Sequence, residues 1–253
     1  MAGMMTSLLL LLLAGVTVGR VVDLQKRIIG GTQCAATDRL YHVRLKIQGV
    51  NLDCGGSLIN KHWILTADHC VPKVGTESVK AFLRVNPDGT TNPVIIMTDD
   101  IKRNEPTGGL PIDIALLRLR EAVTDDAIVH LPDCSKSPPQ IFEITGHGAT
   151  KVDTLGKRGT DKPQKLRCAN TQFADCDHTI ENPSYYSTYN TLICFKDDGV
   201  DITDGDSGGG LVFENTIYGV ISFLTGDKPF LDPSGAIKVC EYIDWIRDVI
   251  ENI

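Results

Sequence analysis

Glycine and proline recur along almost the whole chain and limit the kind of fold that it can form. The 253 residues include 24 glycines and 12 prolines, which interrupt the sequence roughly every 8 to 15 residues through Pro229, Pro233 and Gly235. Between these breaks, the segment 41–58 alternates apolar and polar residues in places, at Tyr41, Val43, Leu45 and Ile47, as a half-buried strand does. The pattern predicts an all-β protein, a barrel or a sandwich of short strands.

The C-terminal segment is the exception to this pattern. Apolar residues recur there at helical spacing, and mostly acidic residues lie between them. The apolar set is Val239, Tyr242, Ile243, Ile246, Val249, Ile250 and Ile253. A helix on a membrane surface is the alternative, but anionic lipid would repel the acidic face. We therefore expect one amphipathic helix over 239–253, packed on the body of the protein.

The first 27 residues have the pattern of a targeting and processing segment. Residues 1–19 carry no charged side chain and contain the leucine run 8–13, which is typical of a secretory signal peptide and too short to span a bilayer. Residues 20–27 end in two basic residues directly before Ile28, and we interpret them as an activation propeptide. The sequence thus predicts a secreted, extracellular protein.

Export also decides how the eight cysteines are interpreted. In an oxidising compartment cysteines pair, so a set of disulfides is favoured. Metal binding is the weaker alternative, because the cysteines lie far apart and form no C-x-x-C pair. Spacing alone leaves the connectivity open. We expect no metal and no cofactor, and the formal charge of -7 argues against a nucleic-acid partner.

The stretch with the clearest chemical signal is Asp204-Gly205-Asp206-Ser207-Gly208-Gly209-Gly210. A serine acts as a nucleophile at neutral pH only when a base lies within hydrogen-bond reach and donors face the oxyanion that forms. Because Gly205 has no Cβ, its backbone N–H and that of Ser207 can face one small space. Taken alone, the run is equally consistent with an exposed glycine turn.

Two further polar residues adjoin apolar strands. His69 follows the apolar stretch 63–65, and Asp113 precedes the apolar stretch 114–119. Each is a weak signal alone, because a lone histidine or aspartate at a strand end is most often structural or solvated. The order His69, Asp113, Ser207, however, is one of three chain orders in which a serine catalytic triad occurs.

Several stretches together resemble a known family. From Ile28 onward, the chain resembles the chymotrypsin-fold (trypsin-like) serine proteases. The matching stretches are Arg27-Ile28-Ile29-Gly30-Gly31, Cys54-Gly55-Gly56-Ser57-Leu58, Thr66 to Cys70, Asp113 to Leu119, Gly205 to Gly209, and Lys238-Val239-Cys240 running into Trp245-Ile246. The resemblance implies one protease domain over 28–253, with two packed six-stranded antiparallel β-barrels at roughly 28–132 and 133–240.

The resemblance also implies a secreted serine endopeptidase with assigned catalytic roles. Ser207 would attack the scissile carbonyl, His69 would take its proton and return it to the leaving amine, and Asp113 would fix the imidazole tautomer. The backbone N–H groups of Gly205 and Ser207 would form the oxyanion hole.

Activation is implied by the same resemblance. Cleavage after Arg27 by an activating protease would free the ammonium group of Ile28, which would then pair with the carboxylate of Asp206. The partners implied are protein or peptide substrates, the activating protease and protein protease inhibitors. We expect a monomer that does not bind membranes.

The cysteine pairing is a further implication of the resemblance. It pairs Cys34 with Cys168, Cys54 with Cys70, Cys134 with Cys240, and Cys176 with Cys194, which leaves no cysteine free. A bridge that many members carry across the rims of the substrate pocket is absent here, because Thr203 and Asp227 stand at its positions.

The residues of the substrate pocket follow from their positions. They are Asp201, Ile202, Ser222, Phe223, Leu224 and Ser234. Asp201 stands where trypsin-like members keep the aspartate of the pocket floor, so we predict cleavage after arginine or lysine. Leu224 and Ser234 stand where trypsin carries glycines, which leaves an elastase-like preference for small aliphatic residues as the alternative.

Two questions stay open from the sequence. Asp68 directly precedes His69, where the family carries alanine or glycine; its carboxylate favours a protonated imidazole if it lies within about 6 Å, and has no such effect if it points to solvent. The second question is activity, because a weakly active or inactive homologue that binds proteins through the same groove is the alternative. The presence of His69, Asp113, Ser207 and Gly205 favours an active enzyme.

Overall fold

The computed structural model describes residues 28–49, 53–73, 78–86, 92–105, 112–123, 127–176 and 189–252. The signal peptide and propeptide expected over 1–27 lie outside these residues. The strands are β1 (Thr32–Gln33), β2 (His42–Ile47), β3 (Asp53–Asn60), β4 (Trp63–Thr66), β5 (Ser78–Phe82), β6 (Val94–Met97), β7 (Ile101–Arg103), β8 (Ala115–Arg118), β9 (Ile141–Gly146), β10 (Arg167–Ala174), β11 (Leu192–Lys196), β12 (Gly210–Phe213), β13 (Thr216–Phe223) and β14 (Ser234–Lys238). Short 3₁₀ turns cover Asp68–Cys70, Thr98–Asp100, Tyr189–Thr191 and Val239–Tyr242, and the α-helix α1 covers Ile243–Glu251.

The N-terminal sheet closes on itself through a broken strand. Its strands are hydrogen-bonded in the order β6-β5-β2-β3-β4-β8-β7. β6 and β7 follow one another around the turn Thr98–Asp100; β6 pairs with β5, and β7 pairs with β8. The segment 94–103 therefore joins the two edges of the sheet into a barrel.

The C-terminal sheet closes directly. Its order is β1-β10-β11-β14-β13-β12-β9, and β9 pairs with both β12 and β10. The six strands from β9 to β14 thus form a ring, and β1 is added to β10 with Thr32 opposite Cys168. The predicted all-β fold with two antiparallel barrels is confirmed.

Strand β2 illustrates how sequence alternation builds the first core. Val43, Leu45 and Ile47 are buried, whereas Arg44 and Lys46 between them are half-buried. Burial of each such apolar side chain contributes about 1.5–3 kcal/mol, so a shift of one residue in register would be costly. The half-buried strand expected within 41–58 is therefore present as β2, and a second strand, β3, covers Asp53–Asn60.

The C-terminal helix begins later than the apolar spacing predicts. Val239–Tyr242 forms a 3₁₀ turn, and α1 begins at Ile243, whereas the expected helix spans 239–253. Such turns are common at the start of an α-helix. Ile246 is fully buried in the main core, so the helix packs on the body as expected. No helix within the described ranges has both the length and the apolar character to cross a membrane.

Four disulfides link the chain, and two of them join segments more than 100 residues apart. They are Cys34–Cys168, Cys54–Cys70, Cys134–Cys240 and Cys176–Cys194, with Cα–Cα distances of 5.0 to 5.9 Å. These are the pairs that the family resemblance implies. The disulfide Cys134–Cys240 joins residues that are 106 positions apart. In the chain-entropy account, a disulfide that closes a loop of this length stabilises the folded protein by about 4 to 5 kcal/mol.

Candidate active site

His69 lies in the short 3₁₀ turn that follows β4. The turn closes through a 3.1 Å hydrogen bond from the N–H of Cys70 to the carbonyl of Ala67. The Cys54–Cys70 disulfide holds the turn against β3. The side chain of His69 is 37% exposed, so the fold fixes this ring at the surface of the first barrel with access to solvent.

The carboxylate of Asp113 is the partner of the His69 ring. Nδ1 of His69 lies 2.8 Å from Oδ2 and 3.0 Å from Oδ1 of Asp113, and the backbone N–H of His69 donates to Oδ1 over 2.9 Å. Ser222 donates a short hydrogen bond to Oδ2. Burial alone would raise the pKa of Asp113, but the hydrogen bond and charge of His69, with the Ser222 bond, hold it below its usual value. An ionised carboxylate on Nδ1 leaves Nε2 as the ring atom that can accept a proton.

Ser207 lies in a loop that is attached to both barrels. Its carbonyl accepts a 2.7 Å hydrogen bond from the N–H of Gly55 in β3, and the N–H of Gly208 donates to the carbonyl of Ile221 in β13 over 2.7 Å. Gly208 has a φ of +81°, and a Cβ there would lie 2.3 Å from the carbonyl oxygen of Gly55. A side chain at this position would therefore separate the loop from the first barrel.

The same attachment brings Ser207 beside the turn that carries His69. Sγ of Cys70 lies 3.5 Å from the carbonyl oxygen of Ser207. Within the described part of the chain, the hydroxyl of Ser207 makes no hydrogen bond to the imidazole. Such bonds are often long before substrate binds. The structure thus places His69, Asp113 and the Ser207 loop together at the junction of the barrels.

Gly205 and Ser207 present backbone N–H groups with no protein acceptor among the residues described. Gly205 has a φ of +108°, and a Cβ there would lie 3.2 Å from Cα of Gly148. Gly205 also lines a cavity of about 530 Å³, together with His147 and Asp204. Both N–H groups are therefore available to an oxygen atom of a ligand.

Asp206 is fully buried. Its carboxylate accepts hydrogen bonds from the N–H of Gly148 (2.8 Å) and the N–H of Thr203 (2.9 Å). A Cβ at Gly148 would lie 2.3 Å from Oδ2, so the carboxylate needs glycine there. Burial raises the pKa of Asp206 to about 7, and the two backbone bonds offset this only in part. No cation pairs with Asp206 in the regions that the structure describes.

The carboxylate of Asp201 is already paired. Nη2 of Arg158 donates to Oδ2 over 2.7 Å, and the N–H of Phe230 donates to the same oxygen over 2.8 Å. Burial raises the pKa of Asp201, and the Phe230 bond and the Arg158 charge reduce that shift. The side chains of Arg158 and Asp201 are only 8% and 6% exposed. Asp201 therefore faces a guanidinium of the chain itself.

The other residues predicted for the pocket differ in their burial. Ile202, Ser222 and Ser234 are buried, and Phe223 and Leu224 are half-buried. The hydroxyl of Ser234 has no hydrogen-bond partner among the described residues. Asp201 and Ser234 both line a cavity of only about 10 Å³, which is space for about one water molecule. Of the six predicted residues, Ser222 contacts Asp113.

Two contacts of the site have no signal in the sequence. Arg158 and Asp201 are 43 residues apart, and Ser222 and Asp113 are 109 residues apart. Neither pair belongs to a periodic pattern or a local motif, so only the chain path brings them together.

Asp68 does not point freely to solvent. Its Oδ1 lies 2.7 Å from Nε of Arg103, and its side chain is 13% exposed. Burial raises the pKa of Asp68, while the charge of Arg103 lowers it and that of Asp113 raises it. The carboxylate beside the His69 turn is therefore balanced by a neighbouring cation.

One group of residues has the composition of a metal site. Potential ligand atoms of Cys54, His69 and Cys70 lie within 4.8 Å of one another. Both cysteines are in the same disulfide, so they offer no thiolate to a metal. These residues instead anchor the His69 turn.

Comparisons with known proteins show similarity over most of the chain. The family model described as Trypsin matches residues 28–246. Trypsin-10 of Gadus morhua is 29% identical over 98% of this chain and 100% of the relative. Trypsin of Sus scrofa is 29% identical over 90% of this chain and 97% of its own, and Trypsin II-P29 of Gallus gallus is 30% identical over 88% and 89%.

Proposed function

Because the chain belongs to the trypsin family, whose members are serine-type endopeptidases, we propose that His69, Asp113 and Ser207 are its catalytic residues. The observation that carries this proposal is the 2.8 Å contact between Nδ1 of His69 and Oδ2 of Asp113. It orients the imidazole so that Nε2 is the proton acceptor, and the Ser207 loop lies beside the same turn.

The proposed reaction proceeds through an acyl-enzyme. Oγ of Ser207 attacks the carbonyl carbon while Nε2 of His69 takes the hydroxyl proton; the C–N bond then breaks as that proton passes to the leaving amine. Water attacks the resulting ester, His69 takes its proton, and the ester C–O bond breaks as the proton returns to Oγ. Asp113 stays ionised and stabilises the imidazolium, a role that its lowered pKa supports.

The oxyanion formed in each step would be held by the N–H groups of Gly205 and Ser207. The φ of +108° at Gly205 supports this role, because that conformation turns its N–H without the strain that a side chain would add. Removal of one such donor typically costs 10²- to 10³-fold in kcat.

We propose that cleavage after Arg27 activates the enzyme. Ile28 already lies buried in the same core cluster as Ile202, close in sequence to Asp206. A new ammonium group at Ile28 would supply the cation that Asp206 lacks. Such a pair would hold Gly205 and Ser207 in place, since they flank Asp206 in the chain.

For the substrate pocket we propose recognition of arginine or lysine through Asp201. The contacts of Arg158 support this assignment, because they pair a guanidinium with the buried carboxylate of Asp201. The half-buried Leu224 and the buried Ser234 favour the alternative, small aliphatic residues. Matched peptides ending in arginine, lysine, alanine, valine and phenylalanine distinguish the two, and higher kcat/KM on alanine or valine would reject the basic preference.

The proposed setting is extracellular. The predicted signal peptide, the four disulfides and the family's substrates support a secreted enzyme that acts on proteins. An activating protease and protein protease inhibitors are the further partners proposed, and the enzyme is proposed to act as a monomer.

Active-site labelling tests the catalytic proposal. After cleavage at Arg27, a fluorophosphonate should label wild type stoichiometrically, and Ser207→Ala should remain unlabelled. A chloromethyl ketone should alkylate His69 in the wild type. An unlabelled, folded wild type would instead support the alternative, a homologue that binds proteins without cleaving them.

A further inference from the structure

The side chain of Arg158 makes the contacts expected of a bound basic side chain. Nη2 donates to Oδ2 of Asp201 over 2.7 Å, and Nε donates to the carbonyl of Ile202 over 3.1 Å. Nη1 donates to the carbonyls of Gly226 (2.7 Å) and Thr225 (3.3 Å). All three nitrogens therefore have acceptors, and all of these acceptors belong to the segments that form the proposed pocket.

Arg158 is presented by a short hairpin, which we call the plug hairpin and define as residues 151–159. The N–H of Asp153 donates to the carbonyl of Lys157, and the N–H of Gly159 donates to the carbonyl of Lys151, each over 2.8 Å. The hairpin forms its own ladder and turn, so Arg158 is held in position before any substrate arrives.

Beyond the contacts of the Arg158 side chain, the plug hairpin is attached to the pocket rim through Asp227. The N–H of Arg158 donates to the carbonyl of Asp227 over 3.2 Å. Nζ of Lys157 lies 2.7 Å from Oδ2 of Asp227, but their side chains are 49% and 76% exposed, and such exposed pairs contribute little. No disulfide joins the rims, since Thr203 and Asp227 replace its cysteines. Withdrawal of the hairpin therefore requires mainly that the buried pair of Arg158 and Asp201 breaks.

We propose that Arg158 is an intramolecular competitor that occupies the pocket of Asp201 and excludes the arginine or lysine side chain of a substrate until the plug hairpin withdraws. This inference rests on the proposed function, in which Asp201 forms the pocket floor. Oδ2 of Asp201 already accepts from Arg158 and Phe230, and the side chains of Arg158 and Asp201 are only 8% and 6% exposed. A second basic group has no room while Arg158 remains.

Under this proposal, substrate specificity depends on the equilibrium between the inserted and the withdrawn position of the plug hairpin. A basic substrate binds only the fraction of enzyme whose hairpin is withdrawn, so its apparent affinity falls in proportion to that fraction. A substrate with alanine or valine before the scissile bond does not need the floor of the pocket, so Arg158 affects it little. Arg158 thus acts on KM for basic substrates and not on kcat.

The test compares wild type with Arg158→Ala, after cleavage at Arg27, on matched peptides ending in arginine, lysine, alanine or valine. Lys151→Ala is the control, because Lys151 is exposed and lies in the same hairpin. We expect Arg158→Ala to raise kcat/KM on the basic peptides about tenfold or more, through KM, if less than about a tenth of wild type is open. The alanine and valine peptides, and Lys151→Ala on every peptide, should change less than about twofold.

A binding measurement avoids dependence on catalysis. In a Ser207→Ala background, benzamidine, an aromatic amidinium, should raise the melting temperature more strongly when Arg158 is alanine than when it is arginine. Arg158→Gln serves if the alanine variant does not fold, because glutamine keeps a donor but has no charge for Asp201. Equal responses to benzamidine and unchanged activity on basic peptides would establish a purely structural ion pair and overturn the proposal.

These experiments distinguish failure of the Arg158 proposal from failure of the catalytic proposal on which it rests. Absence of fluorophosphonate labelling in both wild type and Arg158→Ala rejects the catalytic proposal, and the benzamidine measurement still decides whether Arg158 competes for the pocket. A labelled Arg158→Ala enzyme that still prefers alanine or valine, with no gain on basic peptides, rejects the competitor.

Discussion

Asp113 and Asp206 are both buried carboxylates at the same site, yet their pKa values shift in opposite directions. Asp113 accepts hydrogen bonds from the ring and backbone of His69 and from the hydroxyl of Ser222, and its pKa is lowered. Asp206 accepts from two backbone N–H groups, and burial raises its pKa to about 7. Burial disfavours the charged form in both cases, and the partners decide the result.

The difference shows which part of the site is complete in the uncleaved chain. The hydrogen bonds from His69 and Ser222 compensate the desolvation of Asp113, whereas the hydrogen bonds to Asp206 do not compensate its desolvation. The contacts of the proposed catalytic pair His69 and Asp113 are therefore already formed, whereas Asp206 has no cation among the described residues. Such an arrangement is what the proposed activation by a new ammonium group requires.

We expect the largest effect from Asp113→Asn, which removes the buried carboxylate that has a lowered pKa. An amide at this position cannot stabilise the imidazolium and favours the wrong tautomer, so kcat should fall about 10⁴-fold at neutral pH. Steady-state kinetics on the cleaved chain measures this, and the melting temperature serves as the control for folding. A decrease in kcat of less than about tenfold would show that Asp113 does not orient His69.

Asp206→Asn tests the proposal that Asp206 supports activity by pairing with the new ammonium group of Ile28. In the cleaved chain, loss of one partner of a buried pair costs about 3 to 5 kcal/mol, so activity should fall roughly 10²- to 10³-fold. Asp198→Asn, an exposed residue on a nearby loop, is the matched control and should keep full activity. Full activity in Asp206→Asn would remove the proposed activation mechanism.

The uncleaved chain should show the opposite dependence of stability on pH at its two carboxylates. The folded pKa of Asp206 lies above its usual value of 3.8, so its contribution is fully present below pH 3.8 and is lost as pH rises through about 7. For Asp113, with a lowered pKa, the contribution is present above the usual value and is lost in acid.

This slope is measurable by chemical denaturation of the precursor. Between pH 5 and 7.5, the free energy of unfolding should fall in wild type by roughly 2 to 3 kcal/mol more than in Asp206→Asn. The two proteins are compared by slope, because the amide also changes the hydrogen bonds to Gly148 and Thr203. Parallel curves would show that Asp206 is already ionised beside a partner.

We expect the smallest effect on activity from Asp68→Ala, because the half-buried carboxylate of Asp68 is already paired with Arg103. Its charge is balanced by Arg103 over 2.7 Å. We expect the midpoint of the pH profile of kcat/KM to move to lower pH by less than about 0.3 units. Arg103→Ala should move the midpoint the other way, because it leaves the Asp68 charge uncompensated; an unchanged profile in that variant would show that Asp68 does not act on His69.

The sequence alone determined the class of fold and the identity of the residues with chemical potential. Alternation in β2, turn residues at short spacing and the helical period after Val239 are local patterns, and each stabilises its element through neighbours close in the chain. The helix was predicted to begin at Val239, but α1 begins at Ile243. The choice between a 3₁₀ turn and an α-helix over Val239–Tyr242 depends on the packing around these residues.

Only the tertiary structure decided the partners of the buried carboxylates. The sequence places Asp113, Asp201 and Asp206 beside apolar residues or glycines, and nothing local distinguishes them. Their environments come from Ser222, Arg158 and Gly148, which are 109, 43 and 58 residues away. The electrostatic free energy of a buried charge depends on groups within a few ångströms in space, and the chain path of the two barrels sets which groups those are.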